Sequence, residues 1–570
     1  MLVLGVNYSQ FHDSSACIVR DGQLLGAVAE ERLSRIKHDA RFPALAIQAC
    51  LDLARVRPDQ LDFVAFGWPR PGAILRHDLA DYVRGRRPFT YANLLSSTRH
   101  FLNMQGPQAG PRRFALAFGP SKARMQFVDH HLAHAISAYA YSGFREAAVV
   151  VVDGRGAWEA TSIWHGRRGT LEHVLTIPWP NSLGLLYAAF TEYLGFEPYS
   201  DEWKVMGLAP YGQPGLDLRD FVTLDHGLYS VEGPRLAGRG RGLSEGIAQR
   251  LGPRRVPGSP IEGRYKDVAF AVQSACEQAM QGVVALAVKR TGCRNLCLAG
   301  GVALNSKANG LILNSGLVEG LFIQPAASDD GAALGAALAP YLACGERLPL
   351  QAMRQVDLGS EYNDAQIEQI LRTYKLPYSR LENVPKTTAD LLAGGKIIGW
   401  FQGRMEFGPR ALGSRSILAD PRDPEMKAKV NNAVKFREGW RPFAPSLLAE
   451  AAGDYLESAT DSPFMILTSQ VKPEKRGVIP AVTHVDGSTR PQTVEEDVNP
   501  LYWNLIKEFG QRASVPVVMN TSFNLRGEPI VATPTDAVRT FFSSGLDALV
   551  IGSYLVEKGA LRHADATLSR

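Results

Sequence analysis

A chain of 570 residues is too long for one hydrophobic core, and 45% hydrophobic with 21% charged residues is an ordinary globular balance, so two large domains are expected. A net charge of +5 over this length argues against a dedicated nucleic-acid binder. Six scattered cysteines (Cys17, Cys50, Cys276, Cys293, Cys297 and Cys344) disfavour a disulfide framework and fit a reducing compartment. There is no basic leader before a long apolar segment, and no apolar run reaches roughly 18 residues. The expectation is a cytoplasmic protein with no membrane or nucleic-acid partner; the sequence leaves the oligomeric state open.

Residues 2–8, 16–20 and 23–31 read as three strands, the first two joined by a polar turn that carries His12 and Asp13. Pro69 to Arg113, rich in Arg and His, reads as an elaboration on this half. Asp129 to Ala135 then places His130 and His134 one helical turn apart. Side chains at i and i+4 share a face, so two imidazole nitrogens can converge on one divalent cation, ordinary hydrogen-bonded histidines being the alternative. The apolar run 147–152 reads as a buried strand ending in Asp153-Gly154-Arg155-Gly156, a carboxylate and a glycine turn that brings amides near a phosphate. With the returning segment 160–164 it forms a second hairpin like the first. Two such hairpins suggest duplicated α/β halves sharing a cleft, the logic of the actin-like ATPases.

Asp201-Glu202-Trp203 can supply charge and a stacking face to a cationic substrate, or simply lie at the surface. Gly233 to Arg264 lacks periodicity and reads as a mobile insertion or a substrate-edge loop. Cys293 and Cys297, at i and i+4, are expected to pack in the core. A strand at 296–299 runs into Gly300-Gly301 and, past Asn305, a helix; bare backbone there lets an adenosine approach closely. Asp329-Asp330-Gly331 is a second acidic turn opening a small-residue helix, where a metal-bound phosphate is favoured. The rhythm changes near residue 355, which sets domains of 1–355 and 356–570.

In the second domain a strand ending at Phe401 leads into a Gly- and Pro-punctuated loop holding Arg404, Arg410 and Arg415, followed by Lys435, Arg437 and Arg441. Guanidinium forks suit phosphate oxygens, and cations so crowded repel one another unless an anion sits among them. Last comes the strand 515–519 running into Asn520-Thr521-Ser522-Phe523-Asn524, whose hydroxyls and amides can hold a phosphate or a carbamoyl group without adding charge.

Several strings together resemble the O-carbamoyltransferases of antibiotic and nodulation-factor biosynthesis. They are His12-Asp13-Ser14-Ser15-Ala16, Glu30-Glu31-Arg32 with Lys37-His38-Asp39, His130 to Ala135, Lys204 to Gly212, Gly300 to Asn305, and the Arg410 and Asn520 motifs. The resemblance implies an α/β chain: a duplicated actin-like (Kae1-like) carbamoyl-transfer domain followed by a YrdC/Sua5-like domain that makes carbamoyl adenylate from ATP, with Mg²⁺, and carbamoyl phosphate. It implies a metal held by His130, His134, Asp153 and Asp329, with Fe(II) favoured and Zn the alternative; Asp330 stays open beside Asp329. It implies that Arg410 and Arg415 act in catalysis. Nucleotide and carbamoyl phosphate would lie on Lys37, Asp39, Gly154, Gly300, Gly301, Asn305, Arg404, Arg410, Arg415, Lys435, Arg437, Arg441, Asn520, Thr521, Ser522 and Asn524. His12 and Asp13 are the candidates for an acceptor base, shaping of the turn being the alternative. Length and opening residues look most similar to members acting on aminoglycosides such as tobramycin or kanamycin, with Asp201, Glu202 and Trp203 facing that acceptor. A cephem or nodulation-factor acceptor, tRNA threonylcarbamoyl-type chemistry and a non-catalytic actin-like ATPase are the alternatives.

Overall fold

The computed structural model describes residues 1–70, 72–74, 76, 109–237, 242–458 and 461–558. Most of the Arg- and His-rich elaboration expected after Pro69 lies outside the described residues. The chain divides into two compact units, residues 1–34 with 38–353, and residues 35–37 with 354–570.

The first unit is built on two five-stranded sheets. Strand β1 (Leu2–Asn7) is buried throughout and flanked by β2 (Ser15–Arg20), β3 (Gln23–Ala29), β4 (Phe63–Phe66) and β5 (Arg124–Phe127) in the order β3-β2-β1-β4-β5. The β1/β2 and β2/β3 pairs are antiparallel, whereas β1/β4 and β4/β5 are parallel. The second sheet contains β6 (Glu146–Val152), β7 (Glu159–Arg167) and β8 (Thr170–Pro178). A separate ribbon, β9 (Val222–Asp225) with β10 (Leu228–Val231), precedes the remaining two strands, β11 (Asn295–Ala299) and β12 (Gly320–Ile323). Its order, β8-β7-β6-β11-β12, repeats the first sheet, antiparallel on the hairpin side and parallel on the other. The duplication expected from the two hairpins is therefore explicit in the topology, and this is the duplicated α/β arrangement of the actin-like class.

Small residues let the helices close on these sheets. A Cβ on Gly5 would lie 2.1 Å from the Ala333 carbonyl oxygen, so the helix Asp329–Ala343 packs its backbone against β1. A Cβ on Gly335 would lie 1.7 Å from the Ala133 carbonyl oxygen, so the same helix also meets the helix His130–Ala140. The described residues between Gly233 and Arg264 are more ordered than their composition suggests. They hold the helices Gly233–Ala237 and Glu245–Leu251. Buried Arg255 pins them by donating to the carbonyls of Leu194 and Ser259, supplying tertiary contacts that no local periodicity could announce.

The second unit is an eight-stranded mixed sheet. Its strands are β13 (Ser379–Arg380), β14 (Ile398–Phe401), β15 (Arg415–Ala419) and β16 (Ala444–Leu448), then, after a ribbon of β17 (Ser469–Gln470) and β18 (Ser488–Thr489), β19 (Gln492–Val494), β20 (Val517–Ser522), β21 (Ala548–Ile551) and β22 (Tyr554–Glu557). The order is β13-β22-β21-β14-β15-β20-β16-β19. Central β15 and β20 pair antiparallel, setting the Arg415 end of one beside the Ser522 end of the other. Trp400, Leu418, Phe509, Val518 and Phe541 lie in the core beneath. Among the described residues, no helix is long and apolar enough to cross a membrane.

Candidate functional site

In the first unit the helix packing around Gly335 brings His130 and His134 to the N-terminus of the Asp329–Ala343 helix and the end of β6. His130, His134, Asp153 and Asp329 each present a ligand atom within 4.8 Å of the others. The His130 Nδ1 donates to the Gly67 carbonyl at 3.1 Å, which leaves Nε2 as a lone pair in the neutral ring. That Nε2 faces the His134 Nε2 at 3.1 Å, Asp153 Oδ2 at 3.4 Å and Asp329 Oδ1 at 3.5 Å. Four acceptor atoms thus converge where burial removes water, and the His134 Nδ1 has no hydrogen-bond partner. Burial opposes charge on His130, yet Asp329 and Asp153 raise it to about 10; burial and the neighbouring His130 push His134 well below its ordinary range. The indole of Trp68 stacks on the His130 ring at 4.3 Å and donates to Asn7 Oδ1, fixing the imidazole plane. A divalent cation fits this donor set: imidazole plus carboxylate suits Fe²⁺ or Zn²⁺ better than Ca²⁺. Asp330 lies outside the quartet, with its carboxyl raised well above the usual range by burial, then by Asp13 and Glu31.

The glycine turn serves the same cluster. Gly300, at φ +89°, packs so closely that a Cβ would lie 2.2 Å from the Val152 carbonyl oxygen, and the Gly301 amide donates to Asp153 Oδ1 at 3.0 Å. Gly154 lies half-buried in the turn after Asp153, and Gly184 packs onto its backbone. Asn305 caps the helix Ser306–Asn314 and exchanges amide hydrogen bonds with Gln273, so its side chain is committed to structure.

A second histidine group lies on the first hairpin. Asp13 is bridged by His12 Nδ1 and His38 Nδ1, both at 2.9 Å. His12 Nε2 meets the Tyr199 carbonyl at 2.8 Å. Both ring nitrogens of His12 therefore face acceptors; although burial opposes its charge, Asp13 and Asp329 raise it to about 10. His38 was read only as part of a matching string; its left-handed φ of +55° and its bond to Asp13 show that it belongs with His12. Lys37 is exposed, while Asp39 is closed in an ion pair with Arg41 at 2.6 Å. Asp201 is likewise paired to Lys204 at 2.6 Å, Glu202 accepts from the Tyr199 amide, and the Trp203 indole donates to the Ser200 carbonyl.

In the second unit the expected cations separate into two roles. Arg415 is fully buried, donates to the carbonyls of Gln402, Gly403, Ser414 and Ser360 and stacks on Phe401 at 3.6 Å, while its Nε has no hydrogen-bond partner. Arg404 donates to the carbonyls of Leu358 and Gly359. Lys435 is held by Ser522 and Asn524. Burial, then Arg437 and Arg441, drives its amine well below the ordinary range. Arg410, Arg437 and Arg441 do gather, and with them Arg490, whose guanidinium is pushed down by burial and by those same three cations. Nothing in the sequence around Thr489-Arg490-Pro491 marks it. Arg410 Nε and Arg437 Nη2 are buried without hydrogen-bond partners, and Glu438 is the carboxylate that reaches Arg441. Asn520 donates to the Ala411 carbonyl and Ser446 while its buried Oδ1 has no partner; Thr521 is half-buried beside it. The loop is shaped by Glu406, whose Oε1 accepts the amides of Leu412, Ser414 and Arg415 at 2.7–3.0 Å.

Comparison with known proteins accounts for both units. Residues 2–338 match the family model described as Carbamoyltransferase N-terminus and residues 389–558 that described as Carbamoyltransferase C-terminus. An uncharacterized protein of Synechocystis sp. is 39% identical over 98% of this chain and 97% of its own. Nodulation protein NolNO of Sinorhizobium fredii is 41% identical over 96% of this chain and 79% of its own. Among solved structures, the ROK hexokinase from Thermus thermophilus aligns with 60% of this chain and 100% of its own at 16% identity and a TM-score of 0.30. On the strength of the two family models, which between them take in the hairpins, the histidine quartet and the arginine cluster, the chain belongs to the carbamoyltransferase family and is a transferase enzyme.

Proposed function

We propose that the second unit hydrolyses carbamoyl phosphate with one water to carbamate and phosphate and lets the carbamate oxygen displace pyrophosphate from ATP, giving carbamoyl adenylate, and that the first unit transfers the carbamoyl group to a hydroxyl of a small natural product with AMP as leaving group. The observation that carries this reading is the cluster of Arg410, Arg437, Arg441 and Arg490. Buried guanidinium groups repel one another and keep unsatisfied donors, so their burial is costly until a polyanion enters. Once there, they offset charge developing on the departing phosphate and pyrophosphate. The orphan Asn520 Oδ1 suits the amide hydrogens of a carbamoyl group. In the first unit, His130, His134, Asp153 and Asp329 would hold Fe(II), with Zn the alternative. Bound there, the cation supplies Lewis acidity toward the adenylate. Gly154 and Gly301 give backbone access beside it. His12, held charged by Asp13, stabilises negative charge in the transfer step instead of removing a proton; an acyl adenylate is already activated. The partners of this reading are small molecules only: ATP with Mg²⁺, carbamoyl phosphate and the acceptor.

For the acceptor, the aminoglycoside reading drawn from the sequence needs carboxylates open to a polycation. Pairing of Asp201 with Lys204 uses one of them internally, which favours a second reading, an uncharged saccharide-like acceptor. Incubation with carbamoyl phosphate, ATP and a panel of tobramycin, kanamycin, a cephem and a lipo-oligosaccharide, with products followed by mass spectrometry, tests both levels. A carbamoylated product with matching pyrophosphate release is expected; carbamoylation without ATP consumption would overturn the two-step reading.

A further inference from the structure

The helix Met426–Val430 runs directly into a π-helical turn over Asn431–Lys435 and carries a cation that lies outside the Arg- and Lys-rich run read from the sequence. Its Lys429 reaches Asp423 at 2.6 Å, whereas Lys427 is half-buried and makes no hydrogen bond or ion pair with the described residues. Burial, and then Arg437, pushes its amine below the ordinary range. One turn on, Asn431 shares the Lys427 face. Asn431 is 4% exposed, and its Oδ1 accepts from Arg437 Nε at 3.0 Å. That bond fixes which end of the carboxamide is which, so Nδ2 is a donor, and it has no partner. Arg437 lies with its face on Phe443 at 4.1 Å and its Nη2 also unpartnered. Three donors, Lys427 Nζ, Asn431 Nδ2 and Arg437 Nη2, thus border one corner, and each lacks an acceptor among the described residues. The carboxylates near it in sequence are engaged, Asp423 by Lys429 and Glu438 by Arg441 at 3.4 Å.

We propose that Lys427, Asn431 and Arg437 form a subsite for the β- and γ-phosphates of ATP, distinct from the end of the arginine cluster that takes carbamoyl phosphate. The occupant rests on the two-step reading of the second unit; the donor corner rests on its own contacts. Chemistry separates the two ends. Beside Arg410, Asn520 donates to the Ala411 carbonyl and keeps a free Oδ1, so donors and an acceptor meet there, the complement of a group with both amide hydrogens and phosphate oxygens. The Lys427 corner offers donors only, which suits a phosphate chain with no hydrogen to give. It adds an ammonium to the guanidinium groups, and the more highly charged of the two substrates gains most from it. When the carbamate oxygen bonds to the α-phosphorus, the bond from that phosphorus to the bridging oxygen breaks, and its electron pair leaves with pyrophosphate. The added negative charge thus falls on the group that Lys427 holds.

Two probes separate the ends: inorganic pyrophosphate, and phosphonoacetamide, which joins an amide to one phosphonate and stands in for carbamoyl phosphate without its lability. Calorimetric titration of the full chain is expected to show Lys427→Ala weakening pyrophosphate about tenfold, as loss of a hydrogen bond to a charged group does, and phosphonoacetamide by less than about twofold. Lys427→Arg keeps the charge and is expected to recover most of the pyrophosphate affinity. Asn431→Asp keeps the acceptor for Arg437 Nε but replaces the free donor by a carboxylate oxygen, and is expected to weaken pyrophosphate more than phosphonoacetamide. Unchanged pyrophosphate affinity in Lys427→Ala, or equal weakening of both probes, overturns the subsite. Products of the wild type from ATP and carbamoyl phosphate, measured alongside, report on the two-step reading separately. Release of ADP in place of pyrophosphate would overturn that reading and the occupant named here, while the pyrophosphate titration still judges the corner.

Discussion

The histidine quartet of the first unit and the arginine cluster of the second are electrostatic opposites. Around His130 Nε2 the chain gathers a second imidazole nitrogen and two carboxylates. Around Arg437 it concentrates guanidinium groups with little carboxylate to balance them. Elsewhere some buried charges are met within the chain, as Asp39 by Arg41 illustrates. Crowding charge of one sign is expensive, which is the reason the proposed function puts a cation at one site and polyanions at the other.

Removing either half of the contrast separates the reactions. The largest effect is expected for the double change His130→Ala with His134→Ala: bound metal lost and carbamoyl transfer abolished, with adenylate formation kept. Metal analysis and transfer from supplied carbamoyl adenylate read it, and full metal occupancy in the double variant would sink the quartet as a cation site. Next, Arg410→Ala is expected to slow pyrophosphate release about 10²–10³-fold, as loss of one charge-stabilising donor does, while transfer from supplied adenylate persists. Equal loss of both half-reactions in a folded protein would erase the distinction. Third, Glu406→Ala strips three loop amides of their acceptor and leaves buried Arg415 without its nearest carboxylate, at a cost of about 3 kcal/mol in the second unit's unfolding transition. Glu406→Gln keeps an acceptor and should recover most of it. A last prediction concerns Asp357, raised to about 7 by burial and by Glu406. An unfolded carboxyl titrates near about 3.9. The folded chain therefore binds the extra proton between those values, and stability falls as pH rises through that window. Asp357→Asn should melt higher than wild type above pH 7 and lose that advantage only as pH falls toward about 4; a pH-independent difference would contradict the assignment.

Local pattern made much of this visible in advance, and distance in sequence hid the remainder. The strands β1 to β3 and β6 to β7 announce themselves as apolar runs cut by polar or glycine turns, and the i, i+4 spacing of His130 and His134 states a shared face. Arg437 and Arg441 were legible because Gly and Pro, not helical spacing, punctuate their run. Arg490 was not, because its companions sit about 50 to 80 residues away and only the pairing of β16 with β19 and β20 gathers them. Nor does an arginine in a charged-looking loop give any sign that backbone carbonyls will surround it, as they do Arg415. His38 needed Asp13, and Asp201 met Lys204, through folded geometry that composition does not encode.

The stack of Trp68 on His130 has an optical consequence. An indole in face contact with an imidazole senses that ring's charge, because a protonated or cation-bearing imidazole withdraws excited-state density and dims emission. Among eight tryptophans, the difference spectrum between wild type and Trp68→Phe isolates this one. The enzyme therefore carries its own fluorescent gauge of whether the centre is filled, readable in a cuvette before any substrate is known.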